Sequence, residues 1–270
     1  MKVLKKKLMA GLLTVAVAVS VLGTVTPVSA ASLTAKQYLT KMEKASQKAK
    51  SYEVTQTVSL KASQAGQSMT SKTTAKQTVF QKPLKSKLVT TSKVTAEGVD
   101  QESKVVAYIK EDEQGNIFEY ISTDGSEYEE VDLTDMYSSA SELDTSLYSD
   151  LKIAKKSVKV NKIDTVQISA KIKGADMGKA LTDLGVTGDE IADLGVDFKT
   201  LDPIKVTLWI DKKTYLPVKA TTDMVAFYND FFKSMYEALG AEMDVSYSVA
   251  KTTLTYKNFN KATEFKFPNF

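Results

Sequence analysis

From Ser51 onward, apolar and polar residues alternate along the chain. In "YEVTQTVSL", Tyr52, Val54, Val58 and Leu60 fall on one side, and Glu53, Thr55, Thr57 and Ser59 on the other. That is the two-residue period of a half-buried strand. The same period predicts strands over 68–80, 84–96, 103–111, 116–122 and 126–132. Turn signals separate them: Gly66 in "SQAGQ", Gly98 in "AEGVD", "EQGN" at 113–116 and "TDGS" at 123–126. Asp124-Gly125 predicts a tight hairpin, since both residues tolerate positive φ. Successive hairpins predict an antiparallel meander. No strand–helix–strand rhythm is present, which argues against a parallel nucleotide-binding sheet.

Helical periods interrupt the alternation. "SLTAKQYLTKMEKASQKAK" places Leu39, Met42, Ala45 and Ala49 on one face, and Thr34 with Gln37 forms a capping-box pattern. Its lysines read as a solvated face in preference to a membrane-surface helix. Met136, Ala140, Leu143, Leu147 and Leu151 predict a second helix, followed by strands over 153–160 and 163–173. In the latter, Val166, Ile168, Ala170 and Ile172 alternate with Gln167, Ser169 and Lys171. "LTDLGV" at 181–186 returns as "IADLGV" at 191–196, which predicts two short helices joined at "TGDE", each stopped by a glycine in the left-handed C-cap position. Capping explains those glycines without a duplicated binding motif. "VAFYNDFFKSMYEALG" predicts a helix ending at Gly240, with a stripe of Val225, Tyr228, Phe232, Met235 and Leu239. Phe227, Phe231, Tyr236 and Ala238 widen that stripe, so the helix is mostly buried or covers something apolar. A long strand over 243–258 and a short one near 263–268 complete the pattern.

"LWIDKKTYLPVKA", residues 208–220, reads as strand, turn and strand around the sole Trp. Val206, Leu208 and Ile210 share a face that Trp209 does not. Tyr215, Pro217 and Lys219 oppose Leu216, Val218 and Ala220. Pro217 lacks an N–H and belongs at an edge, a bulge or a strand start, places that a strongly curved sheet supplies. Trp209 is expected on a ligand side or under a covering helix, with plain core packing as the simpler reading.

The first thirty residues read as an address. A basic "MKVLKKK" precedes an apolar "LMAGLLTVAVAVSVLG", and "VTPVSA" sets Val28 and Ala30 at the small-residue positions before a cut. Cleavage after Ala30 is favoured over an uncleaved anchor, because the apolar run is short for a span of about 20 residues. The expected product is secreted, or associated with the cell envelope, and runs from Ala31 to Phe270 as one domain. All 36 basic residues are lysines, and removal of Lys2, Lys5, Lys6 and Lys7 leaves 32 against 33 acids, a net charge near −1. With that balance and no Arg for bidentate phosphate or base contacts, no nucleic-acid partner is expected. Without Cys there are no disulfides and no lipid-modified N-terminal Cys, so burial alone must hold the fold.

Catalytic chemistry has little to work with. His, the usual base for a Ser or Thr nucleophile, is absent, and so are the His and Cys ligands of zinc sites. No Ser-x-x-Lys lies at a helix start that would bury its Lys. The acidic clusters "KEDEQGN" and "GSEYEEVD" lack the alternating oxygen ligands of a Ca²⁺ loop and read as solvated hairpin tips. No pair of carboxylates is singled out. The expectation is therefore no catalytic residue, no metal, no cofactor and no enzyme.

The order of parts then becomes recognisable. A helix leads into "AKSYEVTQTVSL"; a meander of long strands leads to "VTLWIDKKTYLPVKA"; the end is "YKNFNKATEFKFP". This resembles secreted proteins and lipoproteins of Gram-positive bacteria in a family of unknown function, related to the LolA, LppX and LprG half-barrel carriers of lipids and lipoproteins. The resemblance covers nearly the whole chain after residue 30, and departs from many relatives in lacking a lipobox Cys. It implies an α+β fold: a strongly curved antiparallel sheet, a half-barrel, with helices on the concave face and an apolar cavity between. The alternating strand positions and the covering helix nominate Leu208, Val218, Ile168, Phe227, Phe231 and Met235 as its lining. The implied partner is a hydrophobic small molecule or lipid, bound by a monomer, with an envelope protein partner and transient membrane contact left open. The competing expectation is an envelope interaction or regulatory module whose concavity is filled by its own helices.

Overall fold

A computed structural model describes residues 33–64, 66–123, 125–134, 147–183, 193, 195–242 and 244–269. The expected signal segment with its cut after Ala30 lies outside the described residues. So do Asp124, Met136, Ala140, Leu143 and, in the repeated Leu-Gly segment, residues 184–192 and 194.

The described strands form one 12-stranded sheet, and every pairing in it is antiparallel. One arm runs outward as a meander: β1 (Ser51–Gln64), β2 (Gln67–Gln81), β3 (Leu84–Ala96), β4 (Val99–Glu111), β5 (Ile117–Ser122) and β6 (Glu129–Asp132). The other returns inward: β7 (Tyr148–Ile153), β8 (Val158–Val160), β9 (Ile163–Ile172), β10 (Ile204–Asp211), β11 (Pro217–Asp223) and β12 (Val245–Lys257). The arms join where β1 pairs β12, with Val54 opposite Tyr256 and Leu60 opposite Ala250. Chain-distant strands thus close the middle of the sheet, and its outer strands are β6 and β7.

Local chemistry accounts for most of these bounds. Ala96 pairs Val99 across Glu97-Gly98, whose φ angles of 52° and 78° make the two-residue turn that suits the twist of a hairpin. The turn at 123–128 is longer than the Asp-Gly signal predicts: Ile121 pairs Glu129, and β6 starts three residues later than expected. Two contacts explain the widening. The Gly125 N–H donates to Ser122 Oγ, and Tyr128 turns back to place its ring 5.8 Å from Tyr108. Tyr148–Ile153 is a strand although Leu147 and Leu151 fit a helical spacing; β9 offers it a partner, and Asp150 at φ 52° sits in the bulge between the Ser149 and Lys152 pairings. Residues 261–269 form no strand. They run across the sheet's outer face, where Phe265 lies 6.0 Å from Phe80 and 6.1 Å from Tyr108, and Phe267 lies 5.8 Å from Tyr108.

The curvature expected from the pattern is present, and the fold is the open α+β half-barrel. Bulges at Lys61/Ala62 and Trp209/Ile210 bend the strands, and Pro217 stands at the second of these as the first residue of β11. Helices pack on the concave side: α1 (Ala35–Gln47), α2 (Gly174–Asp183) and α3 (Val225–Ala238). The capping box on α1 is complete, with Thr34 Oγ accepting from Gln37 N and Gln37 Oε1 accepting from Thr34 N. Leu39 and Met42 of α1, and Phe227 and Phe231 of α3, join Ile168, Val206, Leu208, Ile210 and Leu254 of the sheet in one buried core.

Candidate ligand-binding face

Register defines the floor of the concave face. On one arm, Ile168, Leu208, Ala220 and Leu254 lie side by side across β9, β10, β11 and β12. α3 lies over β12, with the Phe227 and Phe231 rings stacked at 6.2 Å and Phe198 set 5.9 Å from Phe231. Five of the six lining candidates are buried: Leu208, Val218, Ile168, Phe227 and Phe231. Met235 is half-buried against the same core, while Val218, beside the bulge, stands apart from that cluster. The buried side of α3 is centred on Phe227, Tyr228 and Phe231, so it is rotated from the expected stripe, and Leu239 at its end is 70% exposed. Gly195 takes φ +64°, and a Cβ there would clash with the Ala238 Cβ. Only glycine lets that chain pass so close to α3.

Asn229 fixes α3 to the sheet. Its Nδ2 donates to the Tyr247 carbonyl at 3.0 Å, and the Tyr247 N–H donates to its Oδ1 at 2.8 Å. β11 pairs β12 only as far as Lys251, so the main chain at Tyr247 lacks a strand on that side and the Asn229 amide takes the place of one. Burial pushes the Tyr228 hydroxyl up to about 12, with Tyr247 adding to the shift. Burial also raises Tyr148 and Tyr256, the latter beside Tyr52 and Tyr148. These phenols stay neutral at ordinary pH.

The other arm is different. On the concave face of β2–β5, the core side chains are Val79, Ala107 and Ile109, all buried. Around them Leu88, Val94, Val105, Ile117 and Ile121 are half-buried and belong to no part of the helix-covered core. The lysines of β2, β3 and β4 all point to the convex face by register, as the pairings of Lys72 with Lys93 and of Lys85 with Lys110 show. One row crosses five strands: Tyr52, Val79, Ser86, Ile109 and Glu119. Glu119 is an acid among apolar neighbours, and burial raises its carboxyl above the usual range. Sequence reasoning missed this arm. "KVVAYIK" carries the alternation that puts Val105, Ala107 and Ile109 together, but "IFEYIS" is apolar on both sides, and only pairing with β4 decides which side faces inward.

Trp209 does not lie on the ligand side, and among the described residues no helix covers it. It is half-buried on the convex face opposite Lys219, whose Nζ stands 5.0 Å from the ring centroid. Two open depressions on that face, about 410 Å³ and 350 Å³, are lined by lysines and hydroxyls of β1–β3, including Lys61, Lys72, Lys76 and Lys93, together with Leu60, Val89 and Val249. Among the described residues, no group of acids is placed to hold a metal ion, and no helix is long and apolar enough to cross a membrane.

Residues 34–269 match a family of unknown function, DUF6612. The chain belongs to this family. No curated protein matches it in sequence. Among solved structures, the DUF6612 chain is similar to the lipoprotein LppX of Mycobacterium tuberculosis, with 14% identity over 84% of this chain and 95% of that one and a TM-score of 0.43. It is similar to LprF of Mycobacterium bovis at 14% identity over 87% and 96%, with a TM-score of 0.47. A putative outer membrane lipoprotein-sorting protein domain from Vibrio parahaemolyticus matches at 12% identity over 85% and 95%, with a TM-score of 0.25. These likenesses are remote, and the half-barrel assignment rests on the strand order and register of this chain.

Proposed function

We propose that this protein is a carrier, outside the cell membrane, of a hydrophobic ligand such as a lipid or acyl chain held on the concave face. The observation that supports it most is the unequal treatment of the two arms. The described helices pack their apolar surface over β9–β12, while Leu88, Val94, Val105, Ile117 and Ile121 on β3–β5 keep part of their surface open. An acyl chain laid along these residues gains about 0.8 kcal/mol for each CH₂ it buries, so no strong polar contact is required. The ordering of the chain offsets part of that gain. Leu208, Ile168, Phe227, Phe231 and Met235 then form the closed end of the same space, reached when α3 lifts, with Val218 outside it.

A second reading has its own support: Phe227 and Phe231 are each 1% exposed and in ring contact, as in a permanently filled core. Mass spectrometry of organic extracts of the protein, purified from its own host, separates the two. A stoichiometric copurifying lipid supports carriage. Repeated lipid-free preparations that also refuse acyl probes support the self-filled module.

A further inference from the structure

We infer that Glu119 is the headgroup subsite of the concave face, and that the preferred ligand is an acyl-chain amphiphile whose head donates a hydrogen bond, an ammonium or a hydroxyl. The inference rests on the carrier reading and names the ligand class for that site.

Three observations carry it. First, Glu119 is directly opposite Ile109 on β4 and Val131 on β6, and two residues from Ile117 and Ile121 on its own strand. Same-face neighbours at those positions stand within side-chain reach, so the carboxyl is ringed by apolar groups. Second, it is half-buried, and among the described residues it has neither an ion pair nor a hydrogen bond. Burial shifts its titration upward, and among the described residues no lysine pairs with it. Third, the inward face of β2–β6 has no lysine to serve as a partner, and its other acids are placed differently. Glu111 is already bonded, accepting from Leu84 N at 2.7 Å, and Glu129 is exposed at the end of its strand.

A polar group left without a partner among apolar side chains costs stability, and groups perturbed in this way cluster at functional sites. The cost disappears when a ligand brings a donor. An amine or hydroxyl head would supply one while its chain follows Ile121, Val105 and Leu88 across the sheet. A carboxylate head would meet like charge in a poorly solvated place.

The test uses fluorescent acyl probes of one chain length that end in an amine, a hydroxyl or a carboxylate, titrated at neutral pH into wild type, Glu119→Gln and Glu119→Leu. Wild type should bind the amine and hydroxyl probes at least about tenfold more tightly than the carboxylate. Glu119→Gln should keep the hydroxyl probe and lose the preference for the amine. Glu119→Leu should bind all three alike. Equal affinities in wild type, or an amine preference that survives in Glu119→Gln, overturn the headgroup assignment while leaving carriage intact. Failure of wild type to bind any of the probes overturns the carrier reading and this inference with it.

Discussion

The clamp between Asn229 and Tyr247 offers a direct check on how α3 is held. Two hydrogen bonds of 3.0 Å and 2.8 Å join the helix to the start of β12, on the edge that β11 does not reach. Asn229→Leu removes both and leaves a part-buried N–H and carbonyl without their partner. At about 0.5–1.5 kcal/mol net for each bond, the loss is about 1–3 kcal/mol. For a chain of this size each kcal/mol moves the melting temperature by about 2–4 °C, so a fall of roughly 2–12 °C is expected. Asn229→Asp keeps the acceptor for the Tyr247 N–H and loses only the donor, so it should fall between wild type and the Leu variant. Thermal melts followed by circular dichroism give the first readout, and hydrogen exchange of the 225–238 amides gives the second. A Leu variant that melts within about 1 °C of wild type, with unchanged exchange in α3, would refute the idea that this clamp docks the helix.

Other consequences follow from the same geometry. A carboxyl whose folded pKa is raised supports the fold below its unfolded value near 4.5 and loses that support as pH rises through the folded value. Glu119→Gln should therefore melt above wild type at pH 7 and converge with it below pH 4.5; a variant less stable than wild type at pH 7 would contradict this. Changing Phe265 and Phe267 together to Ala uncovers Tyr108 and Phe80 on the convex face, and should cost about 2–4 kcal/mol in denaturant melts. In a carrier, α3 should exchange its amides faster than β10, and equal protection of the two favours the filled core. N-terminal sequencing of secreted material should begin at Ala31.

The sequence made some of this fold plain and hid the rest. Strand β3 has the bounds that alternation predicts, Thr34 and Gln37 start α1 as their spacing requires, and Gly240 follows the end of α3 with φ +68°. These are local signals, carried by residues that touch one another. The misread elements depend on distant partners. Tyr148–Ile153 becomes a strand because β9 pairs it, against a helical spacing that continues through Leu151. Phe265 and Phe267 alternate like strand residues, but their rings pack on Tyr108 and no ladder forms. The phase of α3 is ambiguous because Val225, Phe227, Tyr228, Phe231 and Phe232 surround much of the helix, and packing on β12 selects Phe227, Tyr228 and Phe231. The candidate site shares that limit. Leu208 and Ile168 are legible from strict alternation, whereas Glu119 has a definite face only once β5 is aligned on β4.

The central claim is that β3–β5 hold an acyl chain on their concave face, and Val105 is the place to test it. It is half-buried opposite Thr90 and outside the helix-covered core, so Val105→Asp puts a charge on the proposed path without emptying the core. The deciding measurement is the affinity of a fluorescent acyl probe for wild type and for Val105→Asp, with melting curves to show that both are folded. Binding by wild type and a loss of about tenfold or more in a folded variant is the predicted result. A folded variant that binds as wild type does, or a wild-type protein that binds no acyl probe, would contradict the account.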